Sequence, residues 1–242
     1  MEDRIHLTSE DIQATERATW GQVSNPLWTK ARVFSLTASI HGKTVDACSR
    51  GNPPPSLCKS LYVTFDGSEV HATKWGIDNG PVAIKMFSEK MKLEVTPSGF
   101  WYHPCGYLGG SPVGFVGEKY LIEVKCPYEY RSDVLETVFK VQSLEELYNE
   151  RTLTLKKGTY VITYDGKWYA NESHRFYHQI QACLHYSDRE MCYLVVWTTK
   201  SLVPVKIFRE EKWLENISIL KSFYVNHSVP YVKSRISTLS VG

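Results

Sequence analysis

The sequence predicts a single α/β domain, and three observations carry that expectation. Val82, Ala83, Met86, Phe87 and Met91 recur at three- and four-residue spacing, as one face of a helix does. Residues 92–126 then read as a succession of short β-branched or aromatic runs punctuated by Gly, Pro and Ser. Farther on, an amphipathic stretch from His174 to His185 precedes the apolar run MCYLVVWT (191–198), which reads as a buried strand.

Taken in order, the first 30 residues are polar, with helical spacing only from about Ser9 to Thr19. Thr37 to Gly42 reads as the start of a helix. GNPPPS (51–56) is expected to be a stiff surface loop, because three prolines remove three amide donors. A helix is expected over Asn79–Met91, with Gly80-Pro81 at its start, where proline is tolerated. Strands are expected at Lys92–Val95, Phe100–His103, Ser111–Val116 and Tyr120–Cys126. The last two flank Gly117-Glu118-Lys119, a plausible hairpin loop. A register centred on Glu118 sets Val113 opposite Glu123. Alternation then puts Leu121, Glu123 and Lys125 on one face, and Tyr120, Ile122, Val124 and Cys126 on the other. Ser143-Leu144-Glu145-Glu146 fits the capping box of a short helix ending near Glu150. Gly158–Asp165 with Lys167–Tyr169 reads as strand and turn, Val203–Phe208 as the partner of the apolar run, and Trp213–Val225 as a closing helix. No repeat or composition break divides the 242 residues, so one domain, 1–242, is expected.

Composition narrows the function classes. With 43% hydrophobic and 22% charged residues and a mean hydropathy of -0.29, the chain is neither disordered, collagenous nor membrane-spanning. Its 28 basic and 26 acidic residues give a net charge of +2, so a nucleic-acid role must come from a specific pocket rather than a broad basic surface. Cysteines stand at 48, 58, 105, 126, 183 and 192 without CxxC spacing, and His103 beside Cys105 has no matching cluster, so zinc is not expected. MEDRIHLTSEDIQ at the N-terminus lacks the apolar run of a secretory leader. No apolar run approaches the roughly 18–20 residues of a membrane span. An intracellular protein with reduced thiols, nuclear or cytoplasmic and not secreted, is the expectation; the sequons at Asn171, Asn216 and Asn226 are then fortuitous.

Chemistry concentrates at Glu123-Val124-Lys125. A strand carrying Glu-x-Lys sets a carboxylate and an ammonium side by side, as metal-dependent phosphodiesterases require. The same pattern also serves as an ordinary lateral ion pair on a solvated strand face. Its context is more specific. GYLGGSPVGFVGEKYLIEVKCP (106–127) resembles the signature of the lambda-exonuclease/YqaJ branch of the PD-(D/E)XK nucleases, usually worded "lgaSPDGlv…liEiKCP". Thr15, Gln22, Trp28, Arg32 and Thr37-Ala38-Ser39 match its "T..Q…W…R…TAS" pattern, and Trp75-Gly76 through Ala83 and Phe87 match its "WG…E..A…y" helix. Tyr177-His178-Gln179-Ile180-Gln181 matches "YyhQvQ", and Val195-Val196-Trp197-Thr198 and Phe223-Tyr224 match the closing strand and helix. The resemblance covers about 15–230, leaving 1–14 as a short extension.

The resemblance implies a restriction-endonuclease-like core, a mixed β-sheet flanked by helices. It implies Mg²⁺ (or Mn²⁺) as cofactor, held by a helix Glu, the Asp of the S-P-D-G turn, the Glu of E-x-K and the carbonyl after it. Carried over, these positions are Gly80, Val113, Glu123 and the Val124 carbonyl, with Lys125 and Gln179 as the remaining catalytic groups. Two of the three metal carboxylates are therefore replaced, and Mg²⁺ asks for about six oxygens. Of the neighbouring acids, Asp78 lies about 200° round a helix from Gly80, and Glu118 belongs to the hairpin loop. Arg32, Ser39 and Ser111 match the family's pocket for the 5′-phosphate of a DNA end; Gln181 matches a second helix Gln. Lys85, Lys90 and Lys92 read as a solvated face. The expected function is binding of DNA ends or single-stranded DNA, with weak or absent cleavage. Two alternatives stand beside it. One is an active Mg²⁺- or Mn²⁺-dependent 5′→3′ exonuclease using Glu123, Lys125, Gln179 and a substitute carboxylate; the other is a protein-interaction module on the same fold. The resemblance also implies a viral or mobile-element origin and allows a homo-oligomer.

Overall fold

A computed structural model of the chain describes residues 6–59, 61, 70–143 and 159–239. Its elements are α1 (Ser9–Ala18), α2 (Pro26–Arg32), β1 (Leu36–Thr37), α3 (Ala38–Ser49), α4 (Pro55–Lys59), α5 (His71–Met91), β2 (Thr96–Pro97), β3 (Trp101–Tyr102), β4 (Leu108–Gly110), β5 (Gly114–Val116), β6 (Tyr120–Lys125), α6 (Leu135–Phe139), β7 (Val161–Tyr164), β8 (Lys167–Ala170), α7 (Arg175–Tyr186), β9 (Met191–Trp197), β10 (Leu202–Phe208), α8 (Glu215–Phe223) and α9 (Val229–Leu239).

A five-stranded mixed sheet in the order β10-β9-β6-β5-β2 forms the centre. β6 and β9 run parallel, Glu123 level with Leu194, while β9–β10 and β5–β6 are antiparallel. Central position explains composition: every residue of β9 is buried, which is why MCYLVVW reads as a continuous apolar run. β10 forms an edge and tolerates Pro204 there. On one face Leu121 packs with α3, α7 and α8 residues such as Ala47, Ile180 and Leu220; on the other Ile122 packs with Ala83 and Phe87 of α5. The hairpin has the expected register, Gly114 opposite Ile122 and Val116 opposite Tyr120, and the expected alternation along β6. A small sheet, β1-β4-β3, carries the N-terminal segment against this core.

Several elements differ from expectation. The helix expected from Asn79 begins at His71 instead, and Pro81 lies inside it. Its first turns carry little apolar periodicity; Trp75 packed near Trp197 and the Lys74–Asp78 ion pair at 3.1 Å support them. Pro81 is exposed, and so is Ile77, whose carbonyl loses its helical partner to the proline. Lys92–Val95 is not a strand, since Lys92 ends α5 in a left-handed conformation (φ 55°). The runs at 100–103 and 111–116 shorten to β3 and β5, and Leu108–Gly110 pairs as β4 where no strand was expected. Pro55 and Ser56 open α4 rather than completing a loop, consistent with proline at a first helical turn. The closing helix continues past Val225 through a π turn (Tyr224–Ser228) into α9. The helix expected from Ser143 to Glu150 falls outside the described residues beyond Ser143.

Gly99 locks α1 to this frame. Its N–H donates to Glu16 Oε1 (3.1 Å), the next amide donates to Thr19 Oγ1 (2.7 Å), and a Cβ at 99 would run into the Glu16 carbonyl. Gly99→Ala is expected to cost about 1–3 kcal/mol, as overpacking against backbone does, read as a lower urea midpoint.

Candidate functional site

The segments that bear chemistry meet at one cleft of about 210 Å³, lined by Gln22, Trp28, Arg32, Ser39, Ser111, Val113, Glu123 and Gln179 among others. Each element contributes for a local reason. Asn25 caps α2, its side chain accepting from the Leu27 N–H at 2.9 Å, and α2 delivers Trp28 and Arg32 on one face. The Trp28 indole N–H donates to Ser111 Oγ (2.8 Å), and the Arg32 guanidinium stacks over the Trp28 ring at 3.9 Å. Beyond α2 the chain turns sharply at Phe34 (φ 63°), a costly conformation for a bulky residue. Two hydrogen bonds of 2.7 Å hold that turn, from its N–H to the Leu61 carbonyl and from Tyr224 Oη to its own carbonyl. Thr37 stands at the N-terminal boundary of α3 without a side-chain capping bond, and its hydroxyl lies 3.1 Å from that of Ser39 in the first turn. Gln22 fixes the Ser111 turn, its Nε2 donating to the carbonyls of Pro112 (2.7 Å) and Ser98 (3.0 Å).

Glu123 forms the floor and is only 5% exposed. Its Oε1 accepts from Lys125 Nζ (2.6 Å) and from Gln179 Nε2 of α7 (3.0 Å). Lys125 does not line the cavity itself; its ammonium lies 3.9 Å over the Phe176 ring, so it is held on two sides. Burial lowers the proton affinity of Arg32 below the ordinary guanidinium value, yet it stays charged. Among the described residues no carboxylate pairs with Arg32. Gln181 does not belong to the cleft: fully buried, it bridges the Phe208 carbonyl and the Glu210 amide. Lys90 donates to the Leu202 carbonyl (3.0 Å), and Lys85 faces Glu89 in solvent.

The positions that the resemblance assigns to metal ligands supply little. Val113 contributes an isopropyl group that packs with the Ile122 cluster, and Gly80 on α5 has no side chain. Asp78 pairs with Lys74 on the exposed face of α5, and Glu118 is exposed in the hairpin loop. Among the described residues no group of three His, Cys, Asp or Glu could hold an ion. A lone carboxylate whose Oε1 already accepts from an ammonium and an amide does not fit a divalent cation that asks for about six oxygens. A larger groove of about 420 Å³ between Cys48, Pro53 and His227 is lined, among the described residues, by no Asp, Glu, Lys or Arg.

Gln22, Trp28 and Phe176 are the supporting residues that sequence reasoning did not single out as site residues. The first two stand in the N-terminal motif itself; Phe176 had no signal beyond its helix. Among the described residues no helix is long and apolar enough to cross a membrane.

No family model matches the chain. A baculovirus protein, the alkaline nuclease of Autographa californica nuclear polyhedrosis virus, is 26% identical over 235 residues, covering 92% of this chain and 53% of its own length. The chain thus spans about half the length of that curated relative. Among solved structures, the alkaline exonuclease LHK-Exo of Laribacter hongkongensis superposes with a TM-score of 0.59 at 20% identity, over 89% of this chain and 98% of its own. The shutoff and exonuclease protein (SOX) of Kaposi's sarcoma-associated herpesvirus does so with a TM-score of 0.56 at 12% identity, over 93% and 75%. SOX has been solved with DNA and with RNA, and LHK-Exo with dAMP. The chain thus has the fold of the alkaline exonucleases and is similar in sequence to a viral alkaline nuclease, in keeping with the resemblance of its motifs to the lambda-exonuclease-like branch of the PD-(D/E)XK proteins.

Proposed function

We propose that the cleft grips the phosphorylated end of a DNA strand and cuts phosphodiesters weakly or not at all. The observation that carries this reading is Arg32, stacked on Trp28 at 3.9 Å, without an acidic partner among the described residues, in the cavity that also holds Ser39 and Ser111. A guanidinium fork held flat in this way aims its N–H donors at phosphate oxygens, and the first amides of α3 add to the grip. Nucleic acid as ligand class is supported by SOX, solved with DNA and with RNA, and by LHK-Exo, solved with dAMP. Weak cleavage is supported by Gly80 and Val113 standing at two carboxylate positions of the family pattern.

Fluorescence anisotropy with 5′-phosphorylated and 5′-hydroxyl duplexes tests the grip, with matched RNA as a further arm. The phosphorylated DNA end is expected to bind more tightly, and Arg32→Gln to weaken it about tenfold or more, the worth of a charged hydrogen bond. Equal affinity for both ends, or no effect of Arg32→Gln, overturns the grip. Robust digestion in Mg²⁺ or Mn²⁺ that Glu123→Ala abolishes overturns weak cleavage.

A further inference from the structure

We infer that this cleft takes its phosphate without a divalent cation, because the cleft already carries a surplus of positive charge. The inference rests on the proposed end-grip and concerns what that grip needs. Glu123 brings one negative charge, and Lys125 sits 2.6 Å from its Oε1 and cancels it. Arg32 is the next charged side chain at the cleft and has no carboxylate partner among the described residues. One carboxylate against two cations leaves a net charge of +1. At the positions that the resemblance assigns to metal carboxylates, acidic residues in place of Gly80 and Val113 would bring the balance to −1 and repel a terminal phosphate carrying close to two negative charges unless a cation offset them. With a hydrogen at 80 and an isopropyl group at 113, that repulsion is absent.

Lys125 is fixed in this role. Its side chain is 18% exposed, its Nζ bonds the carboxylate, and the face of Phe176 lies beneath it at 3.9 Å. An ammonium placed against the Glu123 oxygen neutralises the one carboxylate of the cleft. Gln179 occupies the same oxygen from the other side at 3.0 Å. The fold has room for the reverse change: a Cβ at Gly80 would meet no atom within 4 Å, and Val113 is only half-buried.

The test measures affinity for a 5′-phosphorylated DNA probe in EDTA and in Mg²⁺ at matched ionic strength. The wild-type chain is expected to bind at least as tightly in EDTA as in Mg²⁺, since the added cation only competes for the probe's phosphates. A tenfold or greater loss in EDTA overturns the inference while leaving the end-grip standing. Absence of binding in both conditions overturns the end-grip itself, so the two failures are distinguishable. Gly80→Glu with Val113→Asp is expected to lower affinity in EDTA by about tenfold or more and to recover it in Mg²⁺ or Mn²⁺. The single variant Val113→Asp, with its cleft brought to neutrality, is expected to fall between them. Unchanged binding by both folded variants in EDTA overturns the charge argument.

Discussion

Lys125→Met is expected to destabilise the protein by about 3 kcal/mol or more and to lower its melting temperature by on the order of 10 °C. The ion pair with Glu123 is buried, with side chains 18% and 6% exposed. Removing the ammonium leaves a carboxylate in the floor of the cleft with the Gln179 amide as its remaining partner on Oε1. The cost of an uncompensated buried charge far exceeds the net worth of a solvated pair, which is about 0–1 kcal/mol. Methionine keeps an unbranched stem over Phe176, so lost packing contributes little. Glu123→Gln combined with Lys125→Met removes both charges and is expected to recover most of the loss. Thermal and urea unfolding check this directly. A single variant within about 0.5 kcal/mol of wild type would show a solvated pair, and the positive cleft inferred above would lose its basis.

The same pair shows how far the sequence was legible. Period-two alternation put Glu123 and Lys125 on one face of β6, and symmetry about Glu118 set the hairpin register. Both follow from local geometry and needed no tertiary knowledge. The apolar run of β9 was legible because a central strand buries both faces. What stayed hidden was decided by contacts distant in sequence. The first turns of α5 lack periodic apolar residues and depend on Trp75 meeting Trp197, which no local pattern encodes. Proline is favoured at a helix start, which is why Pro81 reads as one, yet it lies inside α5 on the exposed side of the helix. β4 contains two glycines and has no strand propensity; it pairs because β1 and β3 flank it. In the cleft, Arg32, Ser39 and Ser111 carried motif signals, whereas Phe176 beneath Lys125 carried none. Of the paired glutamines, Gln179 reaches Glu123 and Gln181 ties down Glu210, because two residues along a helix turn the side chain about 200° away.

Acidification is expected to destabilise the protein from about pH 6.5 downward, above the range in which carboxylates titrate. His41 is fully buried between Tyr186 and Trp213, and burial pushes its imidazole down to about 4, helped by His178 and His103 nearby. Its Nε2 faces the Leu36 carbonyl at 3.0 Å and must donate there, leaving Nδ1 as the acceptor 3.5 Å from the Tyr186 hydroxyl. The folded state thus prefers the neutral ring, whereas the unfolded chain takes up a proton near 6.5. Stability from this group is complete above about 6.5 and is lost as pH falls from there toward 4, by about 3 kcal/mol in all. His103 and His174 are also held down to about 4, chiefly by burial, and Lys221 and Arg175 add repulsion. Both are partly solvated, so they act in the same direction with smaller weight. Urea unfolding at intervals between pH 7.5 and 4 is expected to show stability falling steeply below 6.5. In His41→Gln an amide can still donate to the Leu36 carbonyl but cannot titrate. That variant should be weaker at neutral pH through lost packing, yet its curve should be flatter by about 3 kcal/mol across the same window. A variant curve parallel to the wild type would assign the acid sensitivity to other groups, because a residue that takes up no proton on unfolding cannot contribute to the slope.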